Sequence, residues 1–124
     1  MDPITQARIN SQMMETLAEL LARAVRDPRL ELVTLTGVEA TNDLAVAKVF
    51  YSLMGGEQEK LQAQRGLENA AGFLRREIGR RMHVRNAPQL RFHFDTSLET
   101  GQRIETLLRE LRDGKPAEGG EEES

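Results

Sequence analysis

Seven arginines lie between positions 65 and 91 of this 124-residue chain against only two glutamates, so the stretch has a local net charge of +5. Guanidinium groups suit phosphate binding, because each stays charged and can donate two parallel hydrogen bonds to phosphate oxygens. A solvated helix surface can carry the same composition without any ligand. The spacing of the arginines helps to decide between phosphate binding and a solvated helix surface.

Three of these seven arginines fall on one side of a predicted helix. At about 100° per residue, Gly72, Arg75, Arg76, Gly79 and Arg80 occupy an arc of roughly 140°. The apolar residues of the same segment occupy a separate arc, as expected for a helix packed on one face. The spacing favours a basic face able to follow a nucleic-acid backbone.

Ala70-Ala71-Gly72 lies between two predicted helical segments, with no proline and no long loop. Glycine destabilises a helix interior by about 1 kcal/mol relative to alanine. One interpretation is a packing site or a slight bend; the other is a break whose second helix presents unpaired N–H groups to phosphate. The candidate RNA-binding residues are Lys48, Ala70, Ala71, Gly72, Arg75, Arg76, Arg80 and Arg85, with Arg8 as a further candidate for an RNA contact or an ion pair.

Catalytic and metal-binding motifs are not apparent. The chain has no cysteine, which excludes disulfides, thiolate nucleophiles and thiolate zinc sites. His83 and His93 lie ten residues apart and lack metal-site spacing. We expect no enzyme activity, no metal and no cofactor. A protein-interaction module remains the alternative to RNA binding, and salt-dependent RNA affinity would discriminate between the two.

The overall net charge of −3 conceals an uneven distribution. Residues 113–124 contain five acids and one lysine, whereas the other 112 residues carry a net charge of +1. The N-terminus lacks the features of a secretory signal, and no apolar run could span a bilayer. We expect a cytoplasmic monomer without membrane association, with one domain over residues 1–112 and a disordered acidic tail over residues 113–124.

Periodicity and turn residues predict the order α-β-β-α-α-β and a C-terminal helix. The predicted spans are a helix from Asp2-Pro3 to Asp27-Pro28, strands at 30–40 and 44–52, helical segments at 57–69 and 72–82, a strand at 89–95, and a helix from Ser97. We predict an α+β fold with a three-stranded sheet and helices on one face, of the type II KH class, with a kink between the central helices. Ala-Ala-Gly stands where an ordinary KH module has its GXXG loop.

The chain resembles the ribosome-binding factor A family in an ordered set of short motifs from about Arg8 to Leu111. They are Arg8-Ile9, Asp27-Pro28-Arg29-Leu30, Asp43-Leu44, Ala47-Lys48-Val49, Ala70-Ala71-Gly72-Phe73-Leu74-Arg75, Arg85-Asn86-Ala87-Pro88-Gln89-Leu90-Arg91-Phe92, Asp95-Thr96-Ser97 and Gly101. Gln89 departs from the pattern, because the family commonly has glutamate there.

The resemblance implies a bacterial, non-catalytic assembly factor that binds the free or immature small (30S) ribosomal subunit. It implies that the altered break contacts 16S rRNA, and that the protein promotes late 16S rRNA maturation, including 5′-end processing. It further implies particular importance at low temperature, and an assembly GTPase is a candidate releasing factor.

Overall fold

The computed structural model describes residues 2–97, 108–109 and 111–112. Its elements are helix α1 (Pro3–Arg23), a 3₁₀ turn (Pro28–Leu30), strands β1 (Val33–Ala40) and β2 (Val46–Leu53), helix α2 (Glu57–Arg81) and strand β3 (Gln89–Phe94). The chain forms two compact units, Met1–Phe94 and Asp95–Ser124, and all six elements belong to the first. The predicted C-terminal helix lies mostly outside the described residues, and the predicted acidic tail lies entirely outside them.

The three strands form one sheet in the order β1-β2-β3, with β1 antiparallel and β3 parallel to β2. Because successive side chains of a strand point to opposite faces of the sheet, alternate residues of each strand point into the core. That face packs with the buried side chains of both helices in one cluster, which includes Leu17, Leu67, Leu74 and Phe92. The α+β fold class predicted from the sequence, with helices on one sheet face, is confirmed.

Helix α1 begins as predicted, because the Asp2 carboxylate accepts a hydrogen bond of 2.8 Å from the Thr5 N–H and Pro3 occupies the first turn. Two amide side chains then join α1 to the end of β1. The Ala40 N–H donates to Asn10 Oδ1 at 2.9 Å, and Gln6 Nε2 donates to the Ala40 carbonyl at 2.6 Å. Both backbone groups of Ala40 are therefore satisfied by the helix.

Both strands of the hairpin are shorter than predicted at their N-terminal ends. Leu30 closes the 3₁₀ turn, and β1 begins only at Val33. Leu44 has a φ of 59° in the connection between β1 and β2, so β2 begins at Val46. These residues were predicted as strand from their apolar character. They instead form local turn hydrogen bonds that composition does not reveal, such as the one from the Leu44 N–H to the Thr41 carbonyl at 2.9 Å.

The interruption predicted at Ala70-Ala71-Gly72 is not observed, since α2 is continuous from Glu57 to Arg81. The reason is energetic: one interior glycine costs about 1 kcal/mol, and alanine is the best helix former. Burial of Leu67 before the segment and of Leu74 after it holds both halves against the core. A local penalty of this size cannot separate them.

A partly buried polar link positions α2 over the sheet. The Tyr51 hydroxyl donates to Gln64 Oε1 at 2.5 Å, and Gln64 Nε2 donates to the Phe92 carbonyl at 3.1 Å. Burial raises the pKa of Tyr51, with a smaller contribution from the charge of Glu68. One glutamine thus joins α2 to β2 and β3.

The end of α2 has a left-handed residue at a position where glycine is usual. His83 has a φ of 56°, and the next N–H, of Val84, donates to the Gly79 carbonyl at 3.0 Å. This 6→1 bond is that of a Schellman motif and turns the chain sharply toward β3. Among the residues described, no helix combines the length and apolar content needed to cross a membrane.

Candidate nucleic-acid interface

Three arginines and a glycine lie together on the exposed side of α2. We call Gly72, Arg75, Arg76 and Arg80 the arginine face; all four are exposed, whereas Leu74 between them is buried. The predicted division of this helix into a basic and an apolar side is therefore observed. Because α2 is continuous, these groups project from one rigid rod.

The loop that carries Arg85 packs against the same helix. Arg75 Nε donates to the Ala87 carbonyl at 2.9 Å. A Cβ at Gly79 would lie 3.2 Å from the Val84 carbonyl oxygen, so only glycine lets the loop approach this closely without displacement. These contacts bring the loop of Arg85 to the helix and occupy part of the Arg75 guanidinium.

Arg80 is engaged within the protein. It forms an ion pair of 2.6 Å with Glu77, three residues earlier on α2. The hydrogen bond from Arg80 holds the pKa of Glu77 below its ordinary value, and the same bond raises the pKa of Arg80. Arg81 pairs with Glu77 at 3.5 Å and with Glu19 of α1 at 3.3 Å.

Arg76 of α2 and Arg85 of the following loop are available for an external anion. Within the described part of the chain, Arg76 and Arg85 are exposed and form no ion pair or side-chain hydrogen bond. A Cβ at Gly72 would meet only the guanidinium of Arg76, at 3.6 Å from Nη1. An exposed cation without an ion-pair partner among the described residues therefore lies directly beside exposed glycine backbone. Arg8 on α1 is also exposed and, among the described residues, has no ion-pair partner.

Ala70 and Ala71 differ from Gly72 in their surroundings. Both are half-buried and pack against the core, whereas Gly72 is exposed. In an uninterrupted helix the N–H groups of this segment bond to carbonyls four residues earlier. The helix N-terminus that was predicted to present free N–H groups to phosphate at Gly72 therefore does not exist, and the exposed groups here are side chains.

Lys48 is not part of the arginine face. It lies on β2 and points to the sheet face opposite the helices, while its neighbours Ala47 and Val49 are fully buried. Alternation along the strand already placed Lys48 away from the core, but only the packing of α2 on the other side shows that the two basic regions are separate.

Arg65 was missed as a member of the basic face. It is exposed and precedes Gly72 by seven residues, which is nearly two turns and returns to within about 20° of the same direction. The assumed break at position 70 hid this relation, because helical phase is not continued across a break. The basic side of α2 thus extends over about 22 Å, from Arg65 to Arg80.

The histidines do not form a metal site in the described residues. His83 lies at the end of α2 and His93 on β3, and no group of three or more His, Asp or Glu side chains there could hold a metal ion. Asp95 instead accepts a hydrogen bond of 2.9 Å from the Ser97 N–H.

Fold and surface together define a small α+β protein of KH-like architecture with a basic helix face. The chain belongs to the ribosome-binding factor A family, whose model matches residues 5–108. It is 48% identical over 106 residues to ribosome-binding factor A of Syntrophobacter fumaroxidans, covering 84% of this chain and 91% of that protein.

Solved structures agree with this assignment. The crystal structure of ribosome-binding factor A from Thermus thermophilus is similar with a TM-score of 0.65 and 31% identity, over 72% of this chain and 93% of that one. A homology model of the Thermus thermophilus factor, fitted into a cryo-EM map of its complex with the 30S subunit, is similar with a TM-score of 0.59 and 31% identity, over 70% and 91% of the two chains.

Proposed function

We propose that this protein is a non-catalytic assembly factor that binds the free or immature 30S subunit through 16S rRNA. Family membership and the 30S complex of the Thermus thermophilus relative support the proposal. In the proposed complex, Arg76 and Arg85 contact RNA phosphates and Gly72 lets the RNA backbone approach the helix. Arg65 extends the contact along α2, and Arg75 and Arg80 add positive charge while they keep their internal partners.

The main support for the proposal is that Arg76, which has no ion-pair partner among the described residues, lies beside the exposed Gly72 on one continuous helix. Phosphate contacts supply most of the sequence-independent affinity for nucleic acid and make it dependent on salt. Gly72 has no side chain to keep a polyanion away, and Arg76 lies beside it.

The test is co-sedimentation of the full chain with isolated 30S subunits on sucrose gradients. R76E/R85E should lose co-sedimentation, and its melting temperature should be unchanged because neither side chain has an internal partner among the described residues. A triple reversal of Arg75, Arg76 and Arg80 is less clean, since it removes the contact with Ala87 and replaces the cation that pairs with Glu77 by a second carboxylate.

The matched control is R23E/R26E, which makes the same charge change at exposed positions near the end of α1. This control should co-sediment like the unaltered protein at moderate salt. Equal loss in both double variants would indicate attraction by net charge alone, and unimpaired binding of R76E/R85E would exclude the arginine face as the contact.

We further propose that binding promotes late maturation of 16S rRNA, including processing of its 5′ end, that the effect is greatest at low temperature, and that the protein acts in the cytoplasm. Cells that lack the protein should accumulate 16S rRNA with unprocessed 5′ ends, most strongly in the cold. Complementation by R23E/R26E but not by R76E/R85E, measured by primer extension, would link maturation to the arginine face.

A further inference from the structure

The sheet face opposite the helices carries a cluster of cationic and aromatic side chains. Lys48 of β2 and Arg91 of β3 are register partners, as are Phe50 and His93 two residues further along. Successive residues on one sheet face are about 7 Å apart along a strand, and neighbouring strands are about 4.8 Å apart. The four side chains therefore form two adjacent rows, one charged and one aromatic.

The aromatic row is a ring pair at the surface. The Phe50 and His93 rings have centroids 5.8 Å apart with planes inclined by 36°. His93 is exposed and Phe50 is half-buried, whereas Phe92 beside them on β3 points into the core. The other aromatic side chains, Tyr51, Phe73, Phe92 and Phe94, belong to the core cluster or pack against it, whereas Phe50 does not.

The strand on the other side of Phe50 leaves open space beside it. The register of β1 against β2 shifts between Leu35 and Gly37, and Gly37 is the partner of Phe50. A Cβ built at Gly37 would have no atom within 4 Å. A bulge and a glycine thus leave an open notch beside an apolar ring, a place where another planar group can lie against it.

The charged row favours an anionic occupant. Lys48 and Arg91 are exposed and, within the described part of the chain, form no ion pair. Glu39 of β1 is the register partner of Lys48, so the row carries two cations and one anion. Every nucleotide joins a base to a phosphate. On this face the Phe50–His93 ring pair suits the base, and Lys48 and Arg91 suit the phosphate.

We infer that this sheet face is a second RNA-binding surface, which takes an unpaired nucleotide of single-stranded RNA. The base stacks on Phe50 and His93, and its phosphates contact Lys48 and Arg91. Single-stranded nucleic acid is commonly bound by such a combination of aromatic stacking and cationic contacts. The inference is independent of the arginine face, because Lys48 and Arg91 lie on the opposite side of the sheet from α2.

The stacking contact is tested with F50L and F50Y. Leucine keeps apolar bulk at a half-buried position but removes the ring, whereas tyrosine keeps the ring. The probe is a fluorescein-labelled single-stranded uridine octamer, titrated with full-length protein and followed by anisotropy. F50L should weaken binding about fivefold or more, and F50Y should bind like the unaltered protein.

The charged contact is tested with K48Q/R91Q against the matched control R23Q/R26Q. Neutralising two phosphate contacts should reduce the salt dependence of octamer binding, by about 1.4 in the slope of log affinity against log salt. The control should leave the slope unchanged. Ultraviolet cross-linking of the octamer, followed by mass spectrometry, should give nucleotide adducts on the peptide that contains Phe50 or His93.

Loss of octamer affinity in R76E/R85E alone, with cross-links confined to α2, would overturn the sheet-face inference and leave the proposed function standing. Full octamer affinity in F50L and in K48Q/R91Q, combined with loss of 30S binding, would also overturn it, since the sheet face would then bind a ribosomal protein. If R76E/R85E still binds 30S subunits while F50L does not, the arginine face is excluded as the contact and the sheet-face inference stands.

Discussion

Two glycines on α2 have opposite surroundings although they lie only six residues apart. Gly72 is exposed, and a Cβ there would meet only the end of Arg76 at 3.6 Å. Gly66 is buried against the 3₁₀ turn, and a Cβ there would lie 3.0 Å from Leu30 Cδ2 and 3.1 Å from Asp27 Oδ2. The fold therefore leaves room for a side chain at the first glycine but not at the second.

Alanine substitution should therefore separate folding from binding. G72A should raise the free energy of unfolding by up to about 1 kcal/mol, because alanine is the better helix residue. G66A should lower it by about 1 kcal/mol, since overpacking against Asp27 and Leu30 exceeds the helix gain. Urea denaturation measures both effects.

If RNA backbone approaches Gly72 closely, G72A should bind 30S subunits more weakly although it is more stable. A variant that gains stability and keeps full affinity would show that the RNA does not contact the helix at this position. The two measurements together therefore test the contact without the ambiguity of a destabilised variant.

His83 at the end of α2 is strained, because side chains with a Cβ pay about 1–2 kcal/mol in the left-handed region. H83G should raise the free energy of unfolding by about 1 kcal/mol in the same assay. H83A is the matched control: it removes the imidazole but keeps the Cβ, and it should give no stabilisation. Equal stabilisation by both would indicate that the imidazole, and not the backbone, is unfavourable.

At the scale of elements, the 3₁₀ turn depends on one carboxylate. Asp27 accepts from Arg29 Nη2 at 2.7 Å and from the Arg29 N–H at 3.0 Å. The side-chain hydrogen bond first, and the backbone hydrogen bond second, hold the pKa of Asp27 below its ordinary value. The 3₁₀ turn also packs against α2 at Gly66. The Asp27 carboxylate therefore supports the contact between the 3₁₀ turn and α2.

The lowered pKa determines a direction of pH dependence. The unfolded carboxyl has a pKa of about 3.9, and the stabilisation is present above that value and is lost as the pH falls through the lower folded-state pKa. D27N should therefore be less stable at neutral pH and lose less further stability in acid. Denaturation midpoints at several pH values measure this, with E31Q, at an exposed neighbouring position, as the control. Parallel acid profiles for D27N and the unaltered protein would contradict it.

At the scale of the molecule, the acidic tail dominates the net charge. Removal of residues 113–124 changes the formal charge from −3 to +1. We expect the shortened protein to bind RNA more tightly at low salt, because a source of repulsion is removed, and to show no advantage near 1 M salt, where the Debye length is about 3 Å. Anisotropy with the uridine octamer measures the affinity.

The melting temperature of the shortened protein should be unchanged, because Pro116 and Ala117 are the only apolar side chains of the tail and offer little surface with which to pack. A version of the tail with its acids replaced by glutamine is the control for length. Weaker RNA binding by the shortened protein would show that the tail contributes a contact and does not repel RNA.

The sequence by itself determined the class of fold, the core side of each element and the order of the elements up to β3, except that it divided α2 in two. These follow from local signals: proline and aspartate at the ends of α1, and periods of two and of about 3.6 in the apolar residues. The cap by Asp2, the buried side of β3 and the apolar side of α2 were predictable for this reason.

Tertiary structure alone decided which polar residues share a surface and which are engaged. The cost of Gly72 is local and small, whereas the burial that keeps α2 continuous is summed over long-range contacts. The partners of Arg75 and Arg80, the Gly37 notch beside Phe50, and the separation of Lys48 from the arginine face likewise depend on packing. Local propensity cannot encode such contacts, because they join residues that only the folded chain brings together.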